Sequence, residues 1–316
     1  MTRWRVPAHP VRLAGLLVLL AFGLILAGCA PQSPAAEKPG TLLAVATTTM
    51  IADMAKHVAG NRIAVESLLK PGKDPHTYNP VPADVKKVAQ ADLILMNGHH
   101  LELWLQELID NAGGKRPVFE VTKGVPGIEV VSGGKKQTDP HMWMSVPLAI
   151  RYVENIRDAF IQVDPDGAQI YRANAEKYIR ELRELDAWIR AEIAKLPADQ
   201  RKLVTSHDAF QYFGKEYGFQ IIGTYWGVTT DEAPGADKIR RLVDDIKSHG
   251  VRAAFIESSV SPKQLEQIAR DAGITIGGTL YADSLGPEGS SADTYIGMMR
   301  HNVRTIVNAL LGTKGE

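Results

Sequence analysis

The sequence lacks features that would place it in several common protein classes. It contains one cysteine, Cys29, so no disulfide can form within the chain. Its 36 basic and 36 acidic residues balance, which gives no electrostatic reason to expect binding to nucleic acid. It has no Gly-rich phosphate-binding fingerprint and no H-E-x-x-H helix. With 316 residues, the chain is nevertheless long enough for two domains, each with its own core.

Residues 1–28 have the pattern of a signal peptide, because arginines without any acidic residue precede an apolar run from Leu13 to Ala27. A membrane span needs about 20 apolar residues, so this run is short for one. The position of Cys29 directly after Leu-Ala-Gly resembles the lipobox of bacterial lipoproteins, which predicts cleavage before Cys29 and lipidation of its sulfur. An uncleaved signal anchor is the alternative. Residues 29–40 are rich in Pro, Ala and Ser and predict a flexible tether.

The most extended periodic pattern runs from Asp164 to Pro197 and predicts one long helix. Its apolar residues recur at steps of three and four: Tyr171, Ala175, Tyr178, Leu182, Leu185, Ile189, Ile193 and Leu196. Asp164 is its predicted N-cap, as Ser261 is for a later helix. A coiled-coil arm is the alternative, but Glu192 interrupts the heptads. Because strand–helix alternation resumes on both sides, we expect this helix to join two lobes.

The strand–helix alternation predicts an α/β fold with two lobes, each a mostly parallel sheet with helices on both faces. The expected divisions are 41–163 for the N-terminal lobe, 164–197 for the long helix and 198–316 for the C-terminal lobe. Within the first lobe we expect a helix over 101–113, and a turn-rich stretch over 132–145. Ligands should bind in the cleft at the carboxyl ends of the strands.

Four potential metal ligands lie where predicted strands or turns end at that cleft. His76 follows the second strand, His141 lies in the turn between the lobes, and His207 and Asp283 each close a strand. Three imidazoles and one carboxylate form a tetrahedral ligand set for a divalent cation. A lone loop histidine is more often a surface group, and residues so far apart in sequence need not converge. The residues alone therefore leave the metal site open.

Three acidic residues are candidates for orienting these ligands or their loops. Asp74 and Asp139 each precede a Pro-His pair, and Glu257 ends a predicted strand, where a purely structural hydrogen bond is the alternative. The other histidines after the signal peptide are interpreted as surface or partly buried groups, with one adjacent pair at a predicted helix N-terminus: His57, His99, His100, His249 and His301.

Four segments around these residues resemble the solute-binding proteins of zinc and manganese ABC importers, solute-binding protein family 9, cluster A-I. They are "GKDPHTYNPVPADVKKVAQADLILMNGHHLE", "DPHMWMS", "SHDAFQYFGKEYG" and "IESSVSPKQLEQIARDAGITIGGTLYADSLG". They occur in the family's order, and the resemblance covers the chain from Thr41 onward. It implies metal ligands at His76, His141, His207 and Asp283, and a C-clamp fold hinged on the long helix.

We therefore expect a monomeric lipoprotein, periplasmic or on the outer face of the cell membrane, that captures a divalent cation and delivers it to an ABC-transporter permease. Three nitrogen ligands favour zinc, with manganese or iron as the alternative. Manganese and iron members often have Glu where this chain has His207, and the loop before His141 lacks the His-rich insertion of some zinc members. Affinity should fall as pH drops below about 6.5, the reference pKa of imidazole.

The sequence leaves three other functions as alternatives. A zinc hydrolase would use three protein ligands and leave a position for water, which requires that Asp283 is not a ligand. A siderophore or cobalamin carrier would need a wider cleft lined by aromatic or Arg side chains. An adhesin is a label that has been attached to members of this family.

Overall fold

The computed structural model describes residues 1–2, 41–132, 135–231 and 234–313. Residues from Thr41 onward form one compact unit. Cys29, the predicted tether and the predicted signal peptide beyond its second residue lie outside the described residues. In the parts of the chain that the structure describes, no helix combines the length and apolar character needed to cross a bilayer.

The first lobe alternates strands and helices around a parallel sheet. Its elements are β1 (Leu42–Ala46), α1 (Thr49–Ala59), β2 (Ile63–Ser67), α2 (Pro82–Gln90), β3 (Leu93–Met96), α3 (Leu105–Ala112), β4 (Val118–Glu120), β5 (Glu129–Ser132), β6 (Lys135–Thr138) and α4 (Val146–Val163). The sheet has the order β2-β1-β3-β4, with every pairing parallel. Strands β5 and β6 form a separate antiparallel hairpin.

The second lobe repeats this architecture after the long helix α5 (Ala168–Ile193). Its elements are β7 (Lys202–Thr205), α6 (Gln211–Tyr217), β8 (Gln220–Thr224), α7 (Ala236–Ser248), β9 (Ala253–Glu257), α8 (Lys263–Ala272), β10 (Thr275–Leu280) and α9 (Tyr295–Leu311). Its parallel sheet has the order β10-β9-β7-β8. The predicted fold class of two parallel-sheet α/β lobes is confirmed.

Each sheet has helices on both faces, because successive side chains of a strand point to opposite sides. In β1, Ala44 and Ala46 pack into the central core, whereas Val45 packs into a smaller core with α2 and α3. In β7, Leu203 faces the central core and Val204 faces a core formed with α7 and α8. The central core therefore lies between the two sheets and is shared by both lobes.

The long helix α5 lies in this central layer, packed against α1, α4 and α9. Its 26 residues give a length of about 39 Å. All eight residues of the predicted apolar stripe are buried, including Leu196 just beyond the helix. A helix that packs along its length within a common core is not an exposed coiled-coil arm, and it connects the lobes through buried contacts.

Both helices form, but their α-helical starts lie after the predicted N-caps; Asp164 is the N-cap residue of the 3-10 turn that leads into α5, without a side-chain capping hydrogen bond. The Asp164 carboxylate accepts hydrogen bonds from Tyr171 and Arg62, the latter from Nη2 to Oδ1 over 2.8 Å, and a short 3-10 turn separates it from α5. A guanidinium partner stabilises a carboxylate more strongly than a backbone amide does. Helix α8 has Pro262 at its N-cap, one residue after the predicted Ser261.

Helix α3 begins four residues later than predicted because a buried carboxylate stabilises a turn in its place. Glu102 accepts hydrogen bonds from the backbone N–H groups of Asn97 and Gly98, over 2.7 and 3.1 Å. His99 and His100 lie inside this turn with φ of 51° and 65°, a left-handed conformation that a helix does not contain. The adjacent histidine pair is therefore not at a helix N-terminus.

The stretch predicted to be rich in turns also contains the last residue of β5 and all of β6. The pair Gly133-Gly134 between two extended segments is a sequence signal for such a hairpin. After β6, the backbone N–H of Asp139 donates to the carbonyl of Ile128 over 2.9 Å. The hairpin thus fixes the start of the turn that carries His141.

Candidate metal centre

The structure brings together all four residues that the sequence nominated as metal ligands. His76 lies in the loop after β2, His207 follows β7, and Asp283 follows β10. His141 lies in the turn that precedes α4. Each donates one candidate ligand atom, and these atoms lie within 4.8 Å of one another. The site is at the carboxyl ends of both sheets, where open parallel sheets bind their ligands.

The distances between the donor atoms suit a small ion. Nε2 of His141 lies 3.2 Å from Nε2 of His76 and 3.2 Å from Nε2 of His207. The Asp283 oxygens lie 3.4 Å from Nε2 of His141, 3.2 Å from that of His207 and 3.8 Å from that of His76. A tetrahedral ion with bonds of about 2.0–2.1 Å requires donors about 3.3–3.4 Å apart. The observed separations cluster around this value.

Burial and missing hydrogen bonds also fit a cation. The side chain of His76 is 2% exposed, and the side chains of His141, His207 and Asp283 are fully buried. Both carboxylate oxygens of Asp283 are buried and have no hydrogen-bond partner among the described residues. A buried carboxylate without partners is unfavourable, and a bound cation removes that penalty. The space between the donors suits a single ion and is too small for an organic chelate, which argues against a siderophore or cobalamin carrier.

Two of the three imidazoles are supported by buried carboxylates. Oδ1 of Asp139 accepts from the backbone N–H of His141 over 2.9 Å and lies 2.7 Å from Nδ1 of its ring. Oε1 of Glu257 accepts from the backbone N–H of His207 over 2.8 Å, and its Oε2 contacts Nδ1 of that ring. A proton held on Nδ1 leaves the Nε2 lone pair directed at the other donors.

Asp74 has a different role, although it occupies the same position in its Asp-Pro-His turn. Its Oδ1 accepts from the backbone N–H of His76 over 2.8 Å, but its carboxylate makes no hydrogen bond to the ring. The other oxygen accepts from the hydroxyls of Thr77 and Thr230. Of the three acidic residues predicted to orient ligands, two therefore contact an imidazole and Asp74 holds the loop.

The protonation of the four groups follows from burial and from the carboxylates. Burial lowers the pKa of His76 to about 4. Burial also disfavours the charged ring of His141, but the neighbouring carboxylates outweigh it and raise its pKa to about 9. At His207 burial likewise disfavours the charged ring, but the carboxylates of Asp283 and Glu257 outweigh it and raise the pKa well above its ordinary value. Burial acts to raise the pKa of Asp283, but the two rings hold it well below its ordinary value. An arriving ion therefore competes with protons for the rings of His141 and His207.

Sequence reasoning missed the groups that fix the His141 turn. Nε1 of Trp143 donates to the carbonyl of Ala282 over 2.9 Å, which ties this turn to the segment carrying Asp283. Nδ2 of Asn97 donates to the carbonyl of Pro140 over 3.1 Å, and the Tyr212 hydroxyl donates to that of Asp139 over 2.8 Å. The only sequence signal was that a buried Trp needs an acceptor for its N–H.

The five other histidines of the described residues lie outside this cluster. His100 is exposed, and Nε2 of His99 lies 3.7 Å from the Glu120 carboxylate. His57, on α1, stacks on Tyr178 with ring centroids 4.0 Å apart. His249 is exposed and His301 is partly exposed. Their interpretation as surface or partly buried groups is confirmed.

Comparison with known proteins identifies the family. The family model described as "Zinc-uptake complex component A periplasmic" matches residues 44–309. The chain belongs to this family. It is 39% identical over 303 residues to the manganese-binding lipoprotein MntA of Bacillus subtilis, covering 94% of this chain and 99% of the relative. It is 34% identical over 307 residues to the metal ABC transporter substrate-binding lipoprotein SsaB of Streptococcus sanguinis, covering 95% and 99%.

A solved structure agrees with this assignment. The periplasmic zinc-binding protein TroA from Treponema pallidum superposes with a TM-score of 0.80 at 35% identity, covering 86% of this chain and 99% of that one. The resemblance seen in the sequence is therefore confirmed. The chain is an extracytoplasmic metal-binding component of an ABC transporter, which works with a membrane permease. The hydrolase hypothesis is wrong, because the family consists of binding components and not of enzymes.

Proposed function

We propose that this chain captures a divalent transition-metal ion through His76, His141, His207 and Asp283 and releases it to its permease. One observation carries the proposal: four side chains from four separate segments present donor atoms within 4.8 Å of one another, and both oxygens of the carboxylate are buried without a hydrogen-bond partner in the described part of the chain. The test is mutation of the donors. His76→Ala and Asp283→Ala should each abolish tight binding, whereas His99→Ala, outside the cluster, should not.

Asp139 and Glu257 complete this proposal by preparing two imidazoles for the ion. Each buried carboxylate accepts from the backbone N–H of one histidine and also contacts Nδ1 of its ring, so His141 and His207 need no reorientation when the ion arrives. Together with Asp283 they surround a doubly charged ion with three negative charges. This charge favours capture of a free cation from dilute solution.

Zinc is the ion that we propose binds most tightly. The donor set of three nitrogens and one carboxylate is one that zinc accepts in tetrahedral sites, and the donor separations suit its bond lengths. Zinc also lies above manganese in the Irving–Williams order. The family description and the Treponema pallidum structure both name zinc.

Manganese is a second candidate for the transported ion, and a specific observation favours it. The two Asp283 oxygens face different imidazoles, Oδ1 toward His141 and Oδ2 toward His207, so the carboxylate is able to bind through both oxygens. A second oxygen raises the coordination number, which suits manganese with its preference for oxygen ligands. The Bacillus subtilis relative is named for manganese.

The two ions are distinguished by metal analysis of protein purified without added metal, followed by competition between Zn²⁺ and Mn²⁺. We expect Zn²⁺ to displace Mn²⁺ at equilibrium. Manganese in the purified protein would then identify the ion that reaches the protein in the cell, despite its weaker binding. If Mn²⁺ displaces Zn²⁺ at equal concentrations, the zinc preference is wrong.

We also propose that Cys29 carries the lipid that anchors the protein, in agreement with the lipoprotein names of both relatives. Cys29→Ala should release soluble protein that still binds metal, and a membrane-bound product of unchanged mass would contradict lipidation. We further propose that the protein is a monomer. Its proposed divisions are a signal peptide (1–28), a tether (29–40), the N-terminal lobe (41–163), the long helix (164–197) and the C-terminal lobe (198–316).

A further inference from the structure

The chain contains the sequence Asp-Pro-His twice, and the two turns differ at one contact. In both, Oδ1 of the aspartate accepts from the backbone N–H of the histidine two residues later, over 2.8 Å at His76 and 2.9 Å at His141. Asp139 also bonds the ring of His141. That ring contact uses the same Oδ1, whereas Asp74 makes no hydrogen bond to the His76 ring and its second oxygen accepts from two threonine hydroxyls. The loop that carries His76 is therefore stabilised differently from the turn that carries His141.

The second oxygen of Asp74 is bound from across the cleft. Oδ2 accepts from the hydroxyl of Thr230, which belongs to the second lobe, and from the hydroxyl of Thr77 in its own loop over 2.9 Å. Thr230 is 9% exposed. A second bond crosses the cleft nearby, since the backbone N–H of Gly72 donates to Oγ of Ser284 over 2.6 Å. The His76 loop is thus attached to the second lobe on one side of its histidine by two hydrogen bonds.

The same loop is also attached to its own lobe. Nε1 of Trp104 donates to the carbonyl of Pro75 over 2.8 Å, and Trp104 packs against Tyr78 with ring centroids 5.1 Å apart. If the contacts with Thr230 and Ser284 break, the loop keeps only its contacts with the first lobe. It can then move without rotation of the lobes and carry His76 away from His207 and Asp283, which belong to the second lobe.

We propose that Asp74 is a positioning residue that holds His76 in the metal site through its bond to Thr230, and that breaking this bond sets the rate at which the ion is released. The proposal rests on the function proposed above, in which His76 is a metal ligand. His141 and His207 have carboxylates on their own rings, whereas the His76 ring has none from Asp74. His76 is accordingly the imidazole that leaves first.

The test compares three variants at one carboxylate oxygen. Thr230→Val removes the hydroxyl that crosses the cleft, Thr77→Val removes the hydroxyl within the loop, and Thr230→Ser keeps the crossing hydroxyl. Zinc-loaded protein is mixed with excess chromogenic chelator in a stopped-flow instrument to measure release, and zinc association is measured separately.

A hydrogen bond to a charged group contributes enough that Thr230→Val should release zinc about 10- to 100-fold faster. Association should change much less, because the proposed role of the bond is to keep His76 on the ion once it is bound. Thr77→Val and Thr230→Ser should release zinc at nearly the wild-type rate. The difference between dissociation and association, and the rescue by Ser, separate positioning from a general loss of structure.

Several results would overturn the proposal. If Thr77→Val and Thr230→Val accelerate zinc release equally, the Asp74 carboxylate needs a hydroxyl partner but not one from the second lobe. If the release rate of Thr230→Val is unchanged, Asp74 has no positioning role through Thr230. Should Thr230→Val not fold, Ser284→Ala breaks the other crossing bond and must also accelerate release. His76→Ala separates the two proposals: unchanged binding in that variant refutes the proposed function, whereas lost binding together with an unchanged Thr230→Val rate refutes only the positioning.

Discussion

Replacing Glu257 with Gln should weaken zinc binding about 10- to 100-fold, the range observed when a carboxylate behind a metal-bound imidazole is removed. The carboxylate is buried and contacts His207 at two points, the backbone N–H over 2.8 Å and Nδ1 of the ring. Gln keeps one oxygen for the backbone but presents an amide N–H to the ring. The ring can accept that donor only by moving its proton to Nε2, the atom that faces the ion.

The magnitude follows from this tautomer change. A 10- to 100-fold loss corresponds to about 1.4–2.7 kcal/mol of binding free energy. That range agrees with the contribution of one hydrogen bond to a charged group, about 1.5–3 kcal/mol. The neutral amide also removes one of the three negative charges around the ion, which acts in the same direction.

Glu102→Gln is the matched control for this variant. Glu102 is also buried and accepts hydrogen bonds from the backbone of Asn97 and Gly98 and from the hydroxyl of Thr47 over 2.7 Å, but it contacts none of the four donors. It should lower the thermal stability of the metal-free protein and change zinc affinity much less than Glu257→Gln does, since it reaches the His141 turn only through Asn97. Affinity is measured by competition with a chelating dye, and the visible absorption of bound Co²⁺ reports the ligand geometry.

The reasoning is refuted if Glu257→Gln binds zinc as tightly as wild type with an unchanged Co²⁺ spectrum. It is also refuted if Glu257→Gln and Glu102→Gln lose the same affinity in proportion to their lost stability. In the second case, burial of a carboxylate matters for folding, and its contact with His207 has no special effect on the ion.

Three further predictions concern pH, selectivity and motion. Zinc affinity should rise from pH 6.5 toward about pH 9. Neighbouring carboxylates outweigh burial and raise the pKa of His141 to about 9, and they also raise the pKa of His207, so protons compete with the ion until the pH exceeds these values. A plateau in affinity above pH 6.5 would contradict this. His207→Glu exchanges a nitrogen for oxygens and should lower the ratio of zinc to manganese affinity in a competition titration; an unchanged ratio would place His207 outside the ligand set. Metal removal should change the loop around His76 more than the relative orientation of the lobes, and a metal-free structure rotated by tens of degrees would contradict it.

The long helix and the two parallel sheets were predictable because their signals are local. The apolar stripe of α5 repeats over seven turns, and all of its residues are buried as predicted. The caps were not predictable, since Asp164 bonds a side chain from a distant segment, Arg62. The late start of α3 depends in the same way on Glu102, whose carboxylate oxygens accept hydrogen bonds from the backbone N–H groups of the preceding turn. The spacing of apolar residues in the sequence does not reveal this turn. Local pattern determined which elements form, and tertiary partners determined where they begin.

Each candidate ligand could be predicted individually, but the sequence could not show that the four side chains lie together in one site. His76, His207 and Asp283 each follow a strand, which indicates the cleft but not their distances. The contact between Glu257 and His207 depends on β9 pairing with β7, with Thr205 opposite Phe255. Neither strand order nor register can be derived from the spacing of residues in the chain. The resemblance to a family supplied the ligand set that spacing could not.

The way the lobes are joined favours release of the ion through movement of side chains and loops at the cleft. Helices α1, α4, α5 and α9 form one buried layer between both sheets, so a large rotation of the lobes would break a continuous core. The loop that carries His76 is instead attached to the second lobe by two hydrogen bonds, at Asp74 and Gly72. Hydrogen bonds of this kind can break without disturbing the core. Release of the ion by movement of one loop therefore needs far less free energy than release by separation of the lobes.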